Sequence, residues 1–195
     1  MTLTIRTLSH DEIEARLFDI AALRISVFRA YPYLYDGSEA YEAAYLRPYI
    51  DSAHALVVGC LDGERLVGAA TGAPMEDHAE AFGAALAAVG LDPQATWYCG
   101  ESVLLPEYRG RGVYRAFFER REAAGRALNR EWSVFCAVAR PADHPARPTS
   151  YAPLDPIWQR YGYARHPSAE ARFAWKDLGE PAETEKPMSV WIKKL

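Results

Sequence analysis

Glycines and arginines follow an apolar strand-like run and precede an amphipathic helix in residues 104–115, LLPEYRGRGVYR. Two closely spaced glycines let a backbone turn sharply and approach a ligand, and a helix that begins there offers unpaired N–H groups. Arg109 and Arg111 add positive charge at the same place. The segment therefore predicts a site for a phosphate, which suggests a phosphate-bearing cofactor.

Two common phosphate-binding motifs do not fit this segment. A dinucleotide fingerprint needs a third glycine where the chain has Arg115, and a Walker A loop needs a Gly-Lys-Ser/Thr run that does not follow. The pattern that remains is Arg/Gln-x-x-Gly-x-Gly/Ala after a strand. Through Arg109, Gly110, Arg111 and Gly112 the chain resembles the GNAT superfamily of acyl-CoA-dependent N-acetyltransferases.

The resemblance implies that acetyl-CoA is the co-substrate. In that family the loop wraps the CoA pyrophosphate, and the preceding strand pairs its backbone with the pantetheine arm. The residues that would take these roles are Val103 and Leu104 in the strand, and Arg109, Gly110, Arg111, Gly112, Val113 and Tyr114 in the loop and helix. The last motif position is usually glycine or alanine. Tyr114 must therefore point away from the phosphates or stack beside the cofactor.

Bulk properties narrow the class of protein. A length of 195 residues suits a single domain over residues 1–195, and a net charge of −4 argues against a general nucleic-acid binder. No run approaches the roughly 20 apolar residues that span a bilayer, so we expect a cytoplasmic protein without a membrane partner. Cys60, Cys99 and Cys136 are predicted to be buried thiols, and no metal site is expected.

Hydrophobic periodicity and turn signals predict strands that alternate with helices and are partly joined by hairpins. The predicted strands are residues 3–8, 55–61, 65–73, 96–105, 132–139, 171–175 and 189–192. The predicted helices are residues 10–30 after a Ser9–Glu12 capping box, 39–47 ended by Pro48, 75–89 ended by Gly90, 112–129, and 155–162 with Asp155 as N-cap. This order indicates an α/β (α+β) fold with a mixed, mostly antiparallel sheet flanked by helices.

Glu101 is the predicted general base. Its carboxylate lies in an otherwise apolar strand, a few residues before the segment expected to hold pantetheine, and burial of a carboxylate is costly unless the group is paired or useful. Amine acetylation needs an unprotonated amine, so a base near the thioester has a role. The structural alternatives are an ion pair with Arg65 or Arg140 and a carboxylate that faces solvent where the sheet splays.

Tyr161 is the predicted general acid. Family members often carry a tyrosine at the position that Trp158 takes in this chain, and an indole N–H is not a practical proton donor. Tyr161, three residues on, lies on a nearby helical face. His144 and Tyr151 in the proline-rich loop 141–153 stay open as alternative acids, and thiolate release also proceeds without a dedicated acid.

Tyrosines crowd residues 31–49, where the resemblance places the acceptor, and Tyr31 and Tyr33 are the predicted substrate contacts. The alternative is simple packing, since Tyr41 and Tyr45 have the i, i+4 spacing of neighbours on a helix. Asp36, Glu39 and Glu42 nearby either attract a cationic amine or form a solvated helix face. The predicted partner is a small-molecule amine or a peptide. The alternatives are a non-catalytic acyl-CoA sensor and, with nothing in the sequence to favour it, a homodimer paired through the last strand.

Overall fold

The seven strands of the molecule belong to one sheet. A computed structural model describes residues 3–195, with β1 Leu3–Thr7, β2 Leu56–Asp62, β3 Arg65–Pro74, β4 Thr96–Leu104, β5 Trp132–Val138, β6 Ala164–Trp175 and β7 Thr184–Lys194. The strand order is β1-β2-β3-β4-β5-β7-β6. Neighbouring strands are antiparallel except β4 and β5, which are parallel. The predicted mixed, mostly antiparallel sheet is confirmed.

Six α-helices flank this sheet. They are α1 His10–Ala15, α2 Leu17–Phe28, α3 Glu39–Asp51, α4 Ala79–Val89, α5 Val113–Ala127 and α6 Asp155–Arg160. The apolar stripe of α5 buries Val113, Phe117 and Phe118 in a cluster with β2, β4 and β5. Helices α1 to α3 pack in a second cluster with β2 and β3, and α4 packs against β6. The core is therefore divided between the two faces of the sheet, which agrees with the amphipathic pattern of these helices.

The prediction of one helix over residues 10–30 is wrong. The capping box of Ser9 and Glu12 is confirmed, but α1 ends before Arg16, whose φ of −107° and ψ of 13° leave the helical range. The Arg16 guanidinium donates to the Glu64 carbonyl oxygen, 3.1 Å away in the turn between β2 and β3. The helix is interrupted at Arg16, the residue whose side chain is hydrogen-bonded to the turn between β2 and β3.

The predicted end of the helix over residues 39–47 is also wrong. This helix is α3, and it continues to Asp51 with Pro48 inside it. Proline lacks an N–H group, yet its carbonyl oxygen still accepts the Ser52 N–H at 3.0 Å. Tyr49 and Ile50 are buried in the following turn. Burial of these two side chains stabilises the last turn that propensity alone disfavours.

The closing strands are longer than predicted. Residues 171–175 and 189–192 are only parts of β6 and β7, because β6 lies at the edge of the sheet with an alternating, largely exposed pattern that lacks an apolar run. Residues 75–78 form a 3₁₀ turn before α4, and Gly90 ends α4 as predicted, with a left-handed φ of 67°. Leu154, rather than Asp155, is the N-cap of α6.

The last strand has no free edge. Both edges of β7 are paired within the chain, to β5 and β6, so a second copy of the chain cannot pair with β7 as the dimer alternative requires. Cys60, Cys99 and Cys136 are buried and unpaired with one another, as predicted. Within residues 3–195, no helix combines the length and the apolar character needed to cross a membrane.

Candidate functional site

A cleft of about 910 Å³ opens where β4 and β5 separate. These parallel strands pair only from Thr96 to Tyr98 on β4, and beyond that point each strand pairs with its other neighbour alone. The β5-facing backbone of the rest of β4 therefore has no strand partner among the described residues. An unpaired strand edge is a ready surface for backbone hydrogen bonds to an extended ligand.

A bulge in β4 places Glu101 at the head of this cleft. Gly100 and Glu101 together face the single residue Thr71 of β3, and the Glu101 N–H donates to Thr71 Oγ1 at 3.2 Å. A Cβ atom at Gly100 would lie 2.3 Å from that oxygen, so only glycine fits. The bulge shifts the side-chain alternation of the strand, and the Glu101 side chain thereby shares a face with Tyr98.

The glycine loop forms the opposite end of the cleft. Gly110 and Gly112 have left-handed φ values of 74° and 80°, and no atom lies within 4 Å of a Cβ built on either residue. Gly112 is the N-cap of α5, and no side chain caps the first N–H groups of that helix. A positive helix end with open space before it can receive an anion.

The cofactor residues expected from the sequence are not all placed alike. Val103 does not border the cleft: its side chain is fully buried in the core, and its backbone faces Ala69 of β3, in register with the Leu105 N–H that donates to the Val67 carbonyl oxygen at 3.0 Å. Leu104 and Arg109 border the cleft. Arg111 does not border it: the guanidinium lies over the Tyr108 ring at 5.4 Å and donates to the Glu107 carbonyl oxygen at 3.1 Å. Arg115 borders the cleft and was missed by sequence reasoning.

Two tyrosine hydroxyls border the middle of the cleft. Tyr114, the departure from the motif, accepts a hydrogen bond from Trp158 Nε1 at 2.8 Å and packs beside Tyr161, with 6.3 Å between ring centroids. Burial raises the pKa of Tyr114 to about 12, although the bond from Trp158 acts in the opposite direction. Burial also raises the pKa of Tyr161. Both hydroxyls therefore stay protonated at neutral pH and can donate a hydrogen bond.

The segment before α3 and the proline-rich loop close the outer wall of the cleft. Tyr31 packs edge-on against Tyr151 with 4.7 Å between ring centroids. The centroid of the His144 ring lies 5.8 Å from that of Tyr31. Arg140 fixes the segment by donating to the carbonyl oxygens of Pro32 and Tyr33, each at 2.8 Å. Of the predicted alternative acids, Tyr151 borders the cleft and His144 does not.

A second, smaller cavity adjoins the cleft at Glu101, and we call it the side pocket. Its volume is about 100 Å³, and it shares Tyr33 and Glu101 with the cleft. Eight of its fourteen lining residues are aromatic: Phe28, Tyr33, Tyr35, Tyr41, Tyr45, Tyr98, Phe173 and Trp175. Tyr41 is exposed at the mouth, whereas Tyr98 and Glu101 are buried. The side pocket therefore connects solvent to the head of the cleft.

Arg24 occupies the wall of the side pocket between two carboxylates. Its Nη1 lies 2.6 Å from Glu101 Oε1, and its Nε donates to Glu42, whose side chain is fully buried. The Arg24 guanidinium also lies 3.9 Å from the centroid of the Tyr45 ring, and the Tyr45 hydroxyl donates to Glu101 Oε2 at 2.9 Å. Burial opposes the charge, but Glu101, Tyr45 and Glu42 together raise the pKa of Arg24 well above its usual value.

The buried triad of Arg24, Glu42 and Glu101 was not predicted. Sequence reasoning offered Arg65 or Arg140 as partners of Glu101, but Arg140 pairs with Asp177 at 2.7 Å. It also left open a solvated face for Glu42, which is buried instead. The available signal was Arg24 itself, because it interrupts the apolar stripe of α2 one turn after Ile20. A charge in such a stripe indicates a buried partner.

Neither the models of protein families nor the sequences of curated proteins match this chain. Solved structures do. A Drosophila melanogaster polyamine N-acetyltransferase that forms N-acetylagmatine is 14% identical over the whole of both chains, with a TM-score of 0.65. A Staphylococcus aureus N-acetyltransferase is 12% identical over 100% of this chain and 99% of its own, with a TM-score of 0.61.

A Salmonella typhimurium protein solved with its cofactor acetyl-CoA is 11% identical over 100% of this chain and 95% of its own, with a TM-score of 0.60. Sequence identity this low shows a shared fold and does not carry over the role of any residue. The resemblance inferred from the glycine loop is confirmed at that level.

Proposed function

We propose that this chain, whose fold is that of the GNAT N-acetyltransferases, transfers an acetyl group from acetyl-CoA directly to an amine. The observation that carries the proposal is the cleft between β4 and β5. It runs from the uncapped N-terminus of α5 at Gly112, along an unpaired strand edge, to the buried carboxylate of Glu101.

The residues present fit acetyl-CoA. The open space around Gly110 and Gly112 suits the pyrophosphate. Arg109 and Arg115 border the cleft, although Arg115 also pairs with Glu119 at 2.7 Å. The β5-facing backbone of β4 at Ser102 and Leu104, which both border the cleft, suits the amide groups of the pantetheine arm. Acetyl-CoA supplies an activated acetyl thioester to the site.

Glu101 is proposed to receive the proton of the acceptor. A neutral amine attacks the thioester carbonyl carbon, a C–N bond forms, and the C–S bond breaks as the thiolate leaves. The proton that the amine loses passes to Glu101, directly or through a water molecule. Free backbone N–H groups of β4 are suited to stabilise the oxyanion formed in this step.

Tyr161 remains the proposed donor of a proton to the thiolate, and the structure favours Tyr114 as a second candidate. The Tyr114 oxygen already accepts the Trp158 N–H, which leaves the tyrosine's own O–H free to donate into the cleft. Sequence reasoning treated Tyr114 and Trp158 as separate departures from the family pattern. Their side chains are joined by a hydrogen bond, so the family's helix hydroxyl has a counterpart on α5.

The first experiment is a calorimetric titration with acetyl-CoA, with CoA and NAD as controls. We expect selective micromolar binding of the two CoA species, because the strand edge is proposed to pair with the pantetheine arm, which NAD lacks, although both ligands carry a pyrophosphate. Equal binding of NAD, or no binding at all, would overturn the proposal. If acetyl-CoA binds, thiol release in the presence of an amine panel separates an enzyme from an acyl-CoA sensor, which binds the thioester without consuming it.

We further propose a small amine or a peptide as the partner and the cytoplasm as the location. A dimer, if it forms, would need a surface other than an edge of β7.

A further inference from the structure

A second buried arginine contacts the bulge of β4, from the face of the sheet opposite Arg24. Arg121 projects from α5 and is only 1% exposed. Its Nη1 donates to the Glu101 carbonyl oxygen at 3.0 Å and to the Thr71 carbonyl oxygen of β3 at 3.3 Å. Its guanidinium also lies 4.6 Å from the centroid of the Phe118 ring. The side chain of Arg121 therefore joins both strands of the bulge to α5.

An ion pair does not account for the charge of Arg121. Its polar contacts in the described chain are backbone carbonyl oxygens, and its buried Nε has no hydrogen-bond partner among residues 3–195. Burial of a cation without a carboxylate is costly, and a neutral side chain would fill the same space at a lower cost. Arg121 also borders the cleft, so a use for its charge should be sought there.

The hydrogen-bond pattern of β4 gives the orientation of the peptide unit that Arg121 holds. The N–H group of Leu105 points to β3, because it donates to the Val67 carbonyl oxygen at 3.0 Å. Backbone groups of successive residues in a strand point to opposite edges, so those of Ser102, three residues earlier in an unbroken register, point toward the cleft. The Ser102 N–H belongs to the same peptide unit as the Glu101 carbonyl group. Arg121 therefore binds one end of a peptide unit whose other end faces the cleft.

A positive charge at the carbonyl end of a peptide unit strengthens its N–H end. The charge-assisted bond to the carbonyl oxygen polarises the unit, which makes the N–H a better donor. The bond also fixes the plane of the unit, so the N–H keeps its direction when negative charge develops in front of it. The field of Arg121 reaches the middle of the cleft. Burial raises the pKa of Tyr114 to about 12, and the bond from Trp158 and the charge of Arg121 act in the opposite direction.

We propose that Arg121 is a positioning residue for acetyl transfer, an inference that rests on the proposed function. It holds the Glu101 carbonyl group so that the Ser102 N–H is directed at the thioester carbonyl oxygen and stabilises the oxyanion that forms there. The Glu101 carboxylate is held by Arg24 on the other face of the sheet. One bulge thus carries both the proposed base and the oxyanion donor, and each is fixed by a buried arginine from a different helix.

The test observes the hydrogen bond to the thioester without turnover. Acetyl-CoA labelled with a heavy isotope at the thioester carbonyl carbon is bound to the protein, and its C=O stretching frequency is measured by isotope-edited infrared spectroscopy. We expect a lower frequency in the bound state than in solution, because the N–H withdraws electron density from the carbonyl oxygen. Arg121→Gln should reverse more than half of this shift, with unchanged affinity for acetyl-CoA by calorimetry. Arg121→Lys keeps the charge and should keep most of the shift.

A matched variant separates this role from a loss of stability. Arg130→Met removes another largely buried arginine, 11% exposed, which donates to the Gln94 carbonyl oxygen, pairs with Glu76 and borders neither cavity. We expect it to lower the midpoint of urea unfolding and to leave the stretching frequency unchanged. Arg121→Met is a second neutral variant, so the test does not depend on the folding of one substitution.

Turnover with an amine gives an independent readout of the same role. We expect Arg121→Gln to lower kcat at least about 10-fold with an unchanged KM for the amine, because the N–H acts on the transition state and not on the bound amine. A rise in KM at an unchanged kcat would contradict this role.

The outcomes separate this inference from the proposed function. A full frequency shift in a folded neutral variant would overturn the inference, and so would a bound thioester that absorbs at its solution frequency in the unaltered protein. Acetyl-CoA binds in both cases, so the proposed transferase would stand. Failure of the unaltered protein to bind acetyl-CoA would remove the proposed function, and the role of Arg121 with it.

Discussion

The two ends of the candidate site, the proposed phosphate end and the proposed acceptor end, are built in different ways. The phosphate end comes from one continuous stretch, the end of β4, the glycine loop and the first turn of α5, and most of it is exposed. The acceptor end comes from side chains on α2, α3, β4 and β6 that are far apart in the chain and largely buried. A site made from backbone in one segment leaves a local pattern in the sequence, whereas a site made from converging side chains does not.

The two ends also differ in how much their residues contribute to the stability of the fold. At the phosphate end, glycines and free N–H groups leave the stability of the fold nearly independent of the ligand site. At the acceptor end, the ionised groups that would handle the amine are the same groups that fill the interior. Substitutions at the two ends should therefore separate binding from stability at one end and couple them at the other.

The largest effect is expected from Glu101→Gln, which keeps the shape of the side chain and removes its ability to accept a proton. We expect the rate of acetyl transfer to fall by about 10² to 10⁴-fold at saturating substrates. The measurement is thiol release from pH 6 to 9, with the midpoint of urea unfolding as the control for folding. An unaltered rate across that range would remove Glu101 as the base.

Arg24→Met is expected to act on stability at the acceptor end. It leaves the buried carboxylates of Glu42 and Glu101 without their cation, which should lower the free energy of unfolding by about 3–5 kcal/mol. The matched control is Arg47→Met on α3, where both partners of the Arg47–Asp51 pair are more than half exposed. We expect that control to cost only about 0.3–0.5 kcal/mol.

A urea titration of both variants gives this difference. Similar losses at Arg24 and Arg47 would mean that the triad is not a buried charge cluster in solution, and the contrast between the two ends of the site would disappear.

Gly112→Trp is expected to act on binding at the phosphate end. The indole would fill the open space before α5, and we expect at least about a 100-fold loss of acetyl-CoA affinity, or about 2.7 kcal/mol. The control is Gly90→Trp, since Gly90 has a similar φ of 67°, equally open surroundings and a place outside the cleft. Both variants place a side chain on a residue with a left-handed φ, so only a loss specific to Gly112 supports the phosphate site.

The smallest effect is expected from the two tyrosines between the ends. Tyr114→Phe and Tyr161→Phe each remove one hydroxyl, and loss of a hydrogen bond to the departing thiolate should lower the rate about 10-fold. We expect the loss for the variant whose hydroxyl serves the thiolate, with unchanged acetyl-CoA affinity by calorimetry. Trp158→Phe removes the bond to Tyr114 together with part of the packing against Phe135 and Trp191, so its rate is compared after the midpoint of urea unfolding has shown that it is folded, and we expect a lower rate if Tyr114 is the donor. Full activity in both tyrosine variants would show that the thiolate leaves without an acid.

The sequence-based predictions were accurate where a feature depends on neighbouring residues and inaccurate where it depends on contacts between distant segments. The strands from β1 to β5, helix α5 and the left-handed Gly90 were predictable because apolar periodicity and glycine signals are local. The break at Arg16, the helical Pro48 and the length of β6 were not, because each depends on contacts with distant segments. Glu101 was identified as a candidate, but its true partner, Arg24, lies 77 positions earlier.

The sequence by itself determined the alternating order of strands and helices, the glycine loop that begins α5, and the presence of a carboxylate in β4. Each of these depends on residues within one or two turns of each other. Only the tertiary structure decided that β4 and β5 separate after three residue pairs, that a bulge directs Glu101 toward Arg24, and that Trp158 bonds Tyr114. These features depend on strand register and long-range packing, which residue order constrains only through the whole fold.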